Sequence, residues 1–220
     1  MSTMDRTDTV DLVDTTVKSP VEMPDIERLE PIHTVGLQRV FALLRLAMGW
    51  TFLWAFLDKA FALGFSTGRI VNDAGQTVKI DFFGDKAWIH GASPTAGALG
   101  FALKGPFAHF YQSITGFHMT AAGPTSAAWI DWVYMLSMLL IGAALILGVG
   151  VKMASLGGIV WMAIFYTATA IWPENNNFLD EHLVFAIVLA GLFLANAGRY
   201  YGLGKVWQRT EFVKRHPVLA

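Results

Sequence analysis

The sequence predicts an all-α integral membrane protein, a bundle of four transmembrane helices with a large extracytoplasmic loop between helices 1 and 2. Of its 220 residues, 54% are hydrophobic and only 15% are charged, whereas about a quarter of the residues in a soluble domain are charged. The mean hydropathy is +0.46, and two segments of at least 20 residues carry no charged side chain. A chain of this composition needs lipid around it.

Residues 1–36 are polar and carry eight acidic against three basic side chains. This composition predicts a disordered, acidic cytoplasmic tail. No apolar core follows a basic start, so the tail lacks the pattern of a cleavable signal peptide. We therefore expect the first hydrophobic segment to be a retained anchor.

Four hydrophobic segments follow within a predicted transmembrane domain of residues 37–199. The first, residues 38–63, has 26 residues and at about 1.5 Å per residue can cross a hydrocarbon core of about 30 Å. The next two have 20 and 21 residues and no charged side chain, and the fourth has 16 residues. These three segments are residues 132–151, 153–173 and 183–198.

The charges beside the predicted spans set the orientation. The short link at Lys152 is basic, whereas the link 173–181 has three acidic side chains and no Lys or Arg. Because cytoplasmic segments carry the excess of Lys and Arg, both termini are predicted to be cytoplasmic. Residues 200–220 then form a basic amphipathic tail on the inner membrane surface. The basic side chains at this end are Arg199, Lys205, Arg209, Lys214 and Arg215.

The predicted outer loop, residues 65–128, has organisation of its own. Residues 69–71 and 77–82 flank Asn72-Asp-Ala-Gly, which predicts a small β-hairpin. Ser93 begins a stretch that can cap a short helix. The aromatic stretch that follows is interrupted by Gly105-Pro106 and is too short to span, so we expect it to lie on the outer interface or to dip into the mouth of the bundle.

Arg45 is the deepest ionisable residue of the first predicted span. An ionisable side chain at membrane depth is costly and is a functional candidate by default. Arg45 can snorkel to the cytoplasmic face or pair with a helix C-terminus. Alternatively, it can orient a quinone head group or another anionic ligand, and the sequence leaves both interpretations open.

A second set of ionisable side chains collects at the outer ends of the predicted helices. Asp58 and Lys59 lie 13 and 14 residues beyond Arg45, which is about 20 Å along a helix. This layer is either a structural ion-pair network or a site for substrate and protons. His182 can shuttle protons, because imidazole exchanges them near neutral pH, or it can donate a hydrogen bond to a loop. The seven members are Asp58, Lys59, Asp131, Glu174, Asp180, Glu181 and His182.

Composition excludes several kinds of redox and binding site. The chain has no cysteine, which rules out disulfides, thiolate nucleophiles, iron–sulfur clusters and cysteine-ligated zinc. A membrane haem needs two facing histidines and only His182 is near a span, so we expect no haem, and no flavin motif is present. The loop histidines form no known zinc pattern, and no metal site is predicted. A net charge of −1 gives no basic face for nucleic acid.

Short motifs follow one another along residues 38–220. They are Arg45-Leu-Ala-Met-Gly-Trp, Trp54-Ala-Phe-Leu-Asp-Lys, Gly64-Phe-Ser-Thr, Ser93-Pro-Thr-Ala-Gly, Lys104-Gly-Pro-Phe, Pro173-Glu-Asn-Asn-Asn and Asn196-Ala-Gly-Arg-Tyr-Tyr-Gly-Leu-Gly. In this order they resemble the DoxD/DoxX family, and more narrowly the actinobacterial relatives of the thiosulfate:quinone oxidoreductase large subunit. The resemblance implies a four-helix protein of the bacterial cytoplasmic membrane. In the name-giving enzyme thiosulfate is oxidised to tetrathionate, electrons pass to quinone, and a second, small subunit is present.

The leading functional prediction is a quinone-linked membrane redox subunit, thiosulfate:quinone oxidoreductase-like as the resemblance implies. Its expected partners are membrane lipid, quinone and other membrane redox or respiratory subunits. Cations at the outer mouth stabilise an anion, while carboxylates and an imidazole relay protons. The catalytic candidates are Asp58, Lys59 and His182, and the candidates for binding quinone or substrate are Arg45, Lys104, Asp131 and Glu174.

The rival hypothesis is a non-catalytic accessory subunit that binds a respiratory or other membrane redox complex. A small transporter or channel is a third possibility. It is disfavoured because predicted helices 2 and 3 carry no ionisable residue in their middles, where an ion path would need one.

Overall fold

The computed structural model describes residues 34–121, 123–169, 171, 173 and 176–216. The predicted acidic tail lies outside these residues except at its end, where the first helix already begins at Val35. In chain order the α-helices are α1 (Val35–Phe61), α2 (Ala108–Ile114), α3 (Ala128–Leu147), α4 (Val151–Thr169), α5 (Glu181–Leu194), α6 (Gly204–Trp207) and α7 (Glu211–Arg215), and the strands are β1 (Arg69–Val71), β2 (Thr77–Ile80), β3 (His118–Thr120) and β4 (Gly123–Thr125).

Within the described residues, three helices are long and apolar enough to cross a membrane. They are α1 with 27 residues, α3 with 20 and α4 with 19, and they indicate a multi-pass membrane protein. The fourth predicted span corresponds to α5, whose 14 residues extend only about 21 Å, short of a hydrocarbon core of about 30 Å. The chain leaves α5 at Asn196, which has left-handed backbone geometry with φ of 46°.

Glycines end α3 and set the turn into α4. Gly148 caps α3 with φ of 75°, and its amide donates to the carbonyl of Ala144. Gly150 also has a positive φ, of 59°, and glycine adopts such angles without a steric penalty. The backbone therefore reverses at Gly148–Gly150, and Lys152, which the sequence places in the link, lies in the first turn of α4.

The helices α1 and α3 pack antiparallel and very closely. A Cβ atom on Gly49 of α1 would lie 2.9 Å from the amide nitrogen of Ile146, and one on Gly142 of α3 would lie 2.6 Å from the amide nitrogen of Leu53. The contacts run in opposite directions along the two helices, so the helices are antiparallel. The glycines allow backbone approach, as small residues do between membrane helices.

The helices α4 and α5 are antiparallel as well. Gly158 of α4 faces Leu189, and the ring of Phe165, further along α4, lies 5.6 Å from that of His182 at the start of α5. Unbranched and branched apolar side chains fill the space between the helices. Fully buried members of this core are Met135, Met138, Leu145, Leu189 and Leu192.

The outer surface of the bundle is apolar. Leu43, Leu140, Val160 and Ile187 lie on four different helices, and each is at least 58% exposed. A soluble monomer rarely exposes a large contiguous apolar surface. Lipid tails can cover such a surface, and the exposed apolar side chains therefore agree with the three candidate membrane spans.

The segment between α1 and α3 carries two small hairpins and α2. Strands β1 and β2 pair antiparallel, and Asn72 Oδ1 accepts the amides of Ala74 and Gln76 in their turn. The hairpin predicted at these residues is therefore confirmed. Strands β3 and β4 form a second antiparallel hairpin, which the sequence does not predict.

This segment covers one end of the bundle. The amide of Gly105 donates to the carbonyl of Ala168 at the end of α4, over 3.0 Å. The hydroxyl of Tyr111 in α2 lies 2.8 Å from Thr167 Oγ1. We call this the loop-covered end, at which α1 and α4 end and α3 and α5 begin.

The opposite end is the basic end, where α6 and α7 pack. The amide of Leu203 donates to the carbonyl of Leu147 over 2.9 Å, and Val213 of α7 is buried. In the described part of the chain, seven accessible basic side chains and one acidic side chain, Glu211, belong to this end. The basic ones are Arg39, Lys152, Arg199, Lys205, Arg209, Lys214 and Arg215.

Candidate functional site

Asp58 fastens the chain that follows α1. Its side chain is 2% exposed. Oδ1 accepts the amide of Phe65 at 2.9 Å, and Oδ2 accepts the amide and the hydroxyl of Ser66 at 2.9 and 2.6 Å. Ala62, the C-cap of α1, has a φ of 52° and turns the chain back toward the carboxylate. The local geometry thus gives Asp58 a structural role.

Lys59 shares a partner with Asp58. Its Nζ donates to Ser66 Oγ over 3.0 Å, and that hydroxyl donates to Asp58. The ammonium also lies 5.7 Å from the ring centroid of Tyr134 on α3, within the range of a cation–π contact. An ammonium has three donors, so Lys59 retains donors for a ligand.

Asp131 fastens the covering segment to the first turn of α3. Its Oδ1 accepts the hydroxyl of Ser93 at 2.9 Å, the amide of Thr95 at 3.2 Å and the hydroxyl of Thr95 at 2.6 Å. Ser126 Oγ lies 2.9 Å from both hydroxyls. A carboxylate near a helix N-terminus is also stabilised by the helix dipole. Asp131, 7% exposed, therefore anchors the segment.

His182 and Asp180 form a close pair at the start of α5. His182 Nδ1 lies 2.7 Å from Asp180 Oδ2, and Asp180 Oδ1 accepts the amide of Leu183 as the helix N-cap. Because a carboxylate oxygen accepts at Nδ1, that nitrogen carries a proton, and Nε2 is the atom left to exchange one. The His182 side chain is 21% exposed, so a ligand or water can reach it.

An aromatic layer, which consists of Tyr134, Trp161 and Phe165, connects Lys59 with His182. The ring of Tyr134 lies 6.4 Å from that of Phe165, which lies 5.6 Å from that of His182. Trp161 packs edge-on against Tyr134 at 5.5 Å. Four helices, α1, α3, α4 and α5, thus bring two of the predicted catalytic residues to one layer.

Arg45 lies fully buried near the basic end. Its Nη1 donates to the carbonyls of Ala197 and Tyr200, and Nη2 donates to that of Tyr201, each over 3.1 Å. A Cβ atom on Gly148 or Gly202 would collide with the guanidinium. Of the two interpretations left open by the sequence, this geometry favours pairing with the carbonyls behind a helix C-terminus.

The structure does not join the remaining candidates to this layer. Lys104 is exposed, and within the described chain no hydrogen bond or ion pair links it to Asp58, Lys59 or His182. Glu174 lies outside the described residues, so its role stays a prediction. Among the residues that the structure describes, no three His, Asp or Glu side chains group closely enough to hold a metal ion.

Several polar partners of the charged residues are not predicted by the sequence. They are Ser66, Ser93, Thr95, Ser126 and Tyr134. The sequence does contain a hint for Ser66, Ser93 and Thr95, because these residues belong to the short motifs Gly64-Phe-Ser-Thr and Ser93-Pro-Thr-Ala-Gly. The structure places the residues of one motif against those of another, as Arg45 does against residues 197–202. The motifs thus hold distant segments together.

No protein-family model, curated protein or solved structure matches the chain. The DoxD/DoxX resemblance therefore stays a hypothesis that rests on the short motifs. A function must be argued from the contacts described above.

Proposed function

We propose that this chain is a quinone-linked redox subunit of a bacterial cytoplasmic membrane, and that it binds the quinone head group beside the aromatic layer. One observation carries the proposal. Lys59, Tyr134, Phe165 and His182 converge from four helices at the loop-covered end. A flat head group with two carbonyl oxygens suits aromatic walls with a few well-placed polar groups.

The polar groups on either side of the layer have complementary tasks. Lys59 keeps ammonium donors beyond the one used on Ser66, and these stabilise negative charge that develops on one carbonyl oxygen. His182, whose Nδ1–H is held by Asp180, takes up a proton from water at Nε2 and donates it to the other oxygen, and the second proton of the quinol also comes from water. Quinone reduction consumes two electrons and two protons, so it needs both charge stabilisation and proton transfer.

The proposed electron donor is thiosulfate, which the motif resemblance implies. Two thiosulfate ions lose two electrons as a sulfur–sulfur bond forms between them to give tetrathionate, and the quinone takes up these electrons with two protons. Lys104, exposed on the covering segment, attracts the divalent anion. In this proposal the loop-covered end is extracytoplasmic and the basic end cytoplasmic, as the positive-inside rule expects.

A second candidate, a non-catalytic accessory subunit of a membrane redox complex, is favoured by a different observation. The buried side chains of Arg45, Asp58 and Asp131 are each hydrogen-bonded within the chain. Their charges therefore stabilise a scaffold without any ligand. An accessory subunit needs such a scaffold and an apolar exterior, and it needs no reactive group.

Thiosulfate-dependent quinone reduction by the purified chain in liposomes separates the two candidates. Wild type should turn over, and Lys59→Met should lower the rate at least tenfold, because about 1.4 kcal/mol of charge stabilisation corresponds to a factor of ten. Lys86→Met is the matched control, since Lys86 is an exposed lysine of the same end, and it should stay within about twofold.

Absence of turnover by folded, reconstituted wild type contradicts the enzyme proposal. Recovery of other membrane redox subunits at a fixed ratio with the inactive chain then supports the accessory subunit. Within the enzyme proposal, His182→Gln should flatten the pH dependence of the rate, because an amide cannot exchange the proton. His109→Gln, which alters an exposed histidine of α2, should leave that profile unchanged.

A further inference from the structure

A cavity of about 840 Å³ opens at the basic end, and its walls carry three cations. Arg199, Lys205 and Arg209 line it together with Gln38, Tyr200, Tyr201 and Gln208. Its volume falls within the usual range of ligand pockets. We propose that this cavity binds the phosphate of an anionic phospholipid head group, a site separate from the aromatic layer at the other end of the bundle.

The charges of the cavity call for an anion. No carboxylate lines it, and the only acidic side chain of the described basic end, Glu211, pairs with Lys214 instead. Three like charges around one cavity repel one another, and a bound phosphate replaces that repulsion with attraction. The planar guanidinium presents parallel donors to two phosphate oxygens at once.

Arg199 is oriented by its neighbours. Arg199 Nε donates to Gln208 Oε1 over 3.1 Å, and Gln208 Nε2 donates in turn to Asn196 Oδ1 over 3.4 Å. This network uses Nε and leaves the two terminal nitrogens of Arg199 for a ligand. Lys205 lies in α6 and Arg209 in the turn that follows it, and both line the same cavity.

The backbone wall of the cavity is fixed from behind by Arg45. The buried guanidinium holds the carbonyls of Tyr200 and Tyr201, two of the lining residues. Ordering this wall before a ligand arrives lowers the entropic cost of binding. Arg45, which the sequence suggests as a ligand-binding residue, thus supports the cavity at the basic end through the backbone that it holds.

Apolar neighbours indicate a lipid as the source of the phosphate. Leu37, Val40, Leu203 and Val206 adjoin lining residues or lie within two positions of them along the chain, and each is at least 44% exposed. Acyl chains can cover such side chains, whereas a free phosphate ion cannot. Basic pockets beside membrane helices on the cytoplasmic side are suited to anionic head groups.

Lipid binding to the full-length, delipidated protein in neutral detergent tests the proposal. The probes are short-chain phosphatidylglycerol, short-chain phosphatidylcholine and inorganic phosphate, with binding followed by native mass spectrometry and by the shift in unfolding temperature. We expect wild type to bind phosphatidylglycerol at least tenfold more tightly than either of the other probes.

A matched pair of variants separates the cavity from general charge attraction. The double variant Lys205→Gln, Arg209→Gln should weaken phosphatidylglycerol binding about tenfold or more, since each cation near an anionic lipid contributes about a fivefold factor. Lys214→Gln, Arg215→Gln removes the same two charges from the same tail outside the cavity, and it should change binding less than about twofold.

Three results overturn the proposal. Equal binding of the two lipids by wild type shows that the head-group charge is not recognised. Equal losses in the two double variants show attraction to the whole tail rather than to the cavity. Inorganic phosphate that binds as tightly as phosphatidylglycerol shows a soluble-anion site. The wild-type comparisons need no variant and measure no redox turnover, so they are independent of the proposed quinone chemistry.

Discussion

Arg45→Met removes a buried guanidinium that ties α1 to residues 197–201 through three hydrogen bonds. Methionine keeps a long, unbranched side chain, so most of the packing volume is retained while the charge and the donors are lost. The carbonyls of Ala197 and Tyr200 are then left without this partner in a buried place.

The expected loss of stability follows from these contacts. A hydrogen bond to a charged group contributes about 1.5–3 kcal/mol, and the two buried bonds set the scale of the effect. The third acceptor, the carbonyl of Tyr201, is partly accessible, so water can replace the guanidinium there. Removing the guanidinium also removes its desolvation cost. We expect a net destabilisation of about 3 kcal/mol, with Arg45→Lys intermediate because an ammonium lacks the planar fork.

Hydrogen exchange measured by mass spectrometry, together with thermal unfolding in detergent, checks this expectation. Arg45→Met should speed exchange across residues 196–204 and lower the unfolding temperature, whereas Arg39→Met, at an exposed arginine of the same helix, should do neither. If Arg45→Met unfolds like wild type and exchanges at the same rate, the structural role is wrong. A loss of quinone binding without a loss of stability would instead favour the ligand role.

Three further substitutions have distinguishable outcomes. Asp58→Asn should destabilise the chain by about 2 kcal/mol, because both carboxylate oxygens accept bonds and an amide nitrogen cannot accept; an unchanged unfolding temperature contradicts this. Asp131→Asn should cost only about 1 kcal/mol, since all three bonds fall on Oδ1 and the amide oxygen can accept them. A fall in unfolding temperature as large as that of Asp58→Asn would refute it. Gly142→Ala should lower the unfolding temperature, because the added methyl group would collide with the backbone of Leu53. Gly157→Ala is the control: its nearest contact is 3.4 Å away, so the higher helix propensity of alanine should raise the unfolding temperature slightly. Equal shifts in the two variants would contradict the close packing of α1 and α3.

Predictions from the sequence succeed where the determinant is local. The apolar runs predict the three long helices of the described residues, because a helix long enough to span is a property of a continuous stretch of residues. The hairpin at Asn72–Gly75 is predicted for the same reason, since the asparagine side chain bonds the amides of its own turn. The fourth segment shows the limit. Its helix gives way to left-handed backbone geometry at Asn196, and the residues around that turn are bonded to distant positions, Ala197 to Arg45 and Asn196 to Gln208.

The candidate site could be predicted only as a list of charged residues at one end of the helices. Their order along the chain places Asp58, Asp131 and His182 at the same end, since antiparallel helices bring alternate ends together. The order along the chain cannot show that the carboxylates of Asp58 and Asp131 accept hydrogen bonds from serine and threonine. Nor can it show that Tyr134 lies between Lys59 and Phe165.

The amino-acid sequence by itself determined that this is a membrane protein with long apolar helices and a basic C-terminal tail. Hydropathy, helix length and turn chemistry depend on neighbouring residues, and they can be read within a short window. Only the tertiary structure decided which charged side chains are fully hydrogen-bonded within the described chain and which keep unused donors. The partners of Arg45 lie up to 156 positions away along the chain, and a hydrogen bond over that separation exists only once the helices have packed.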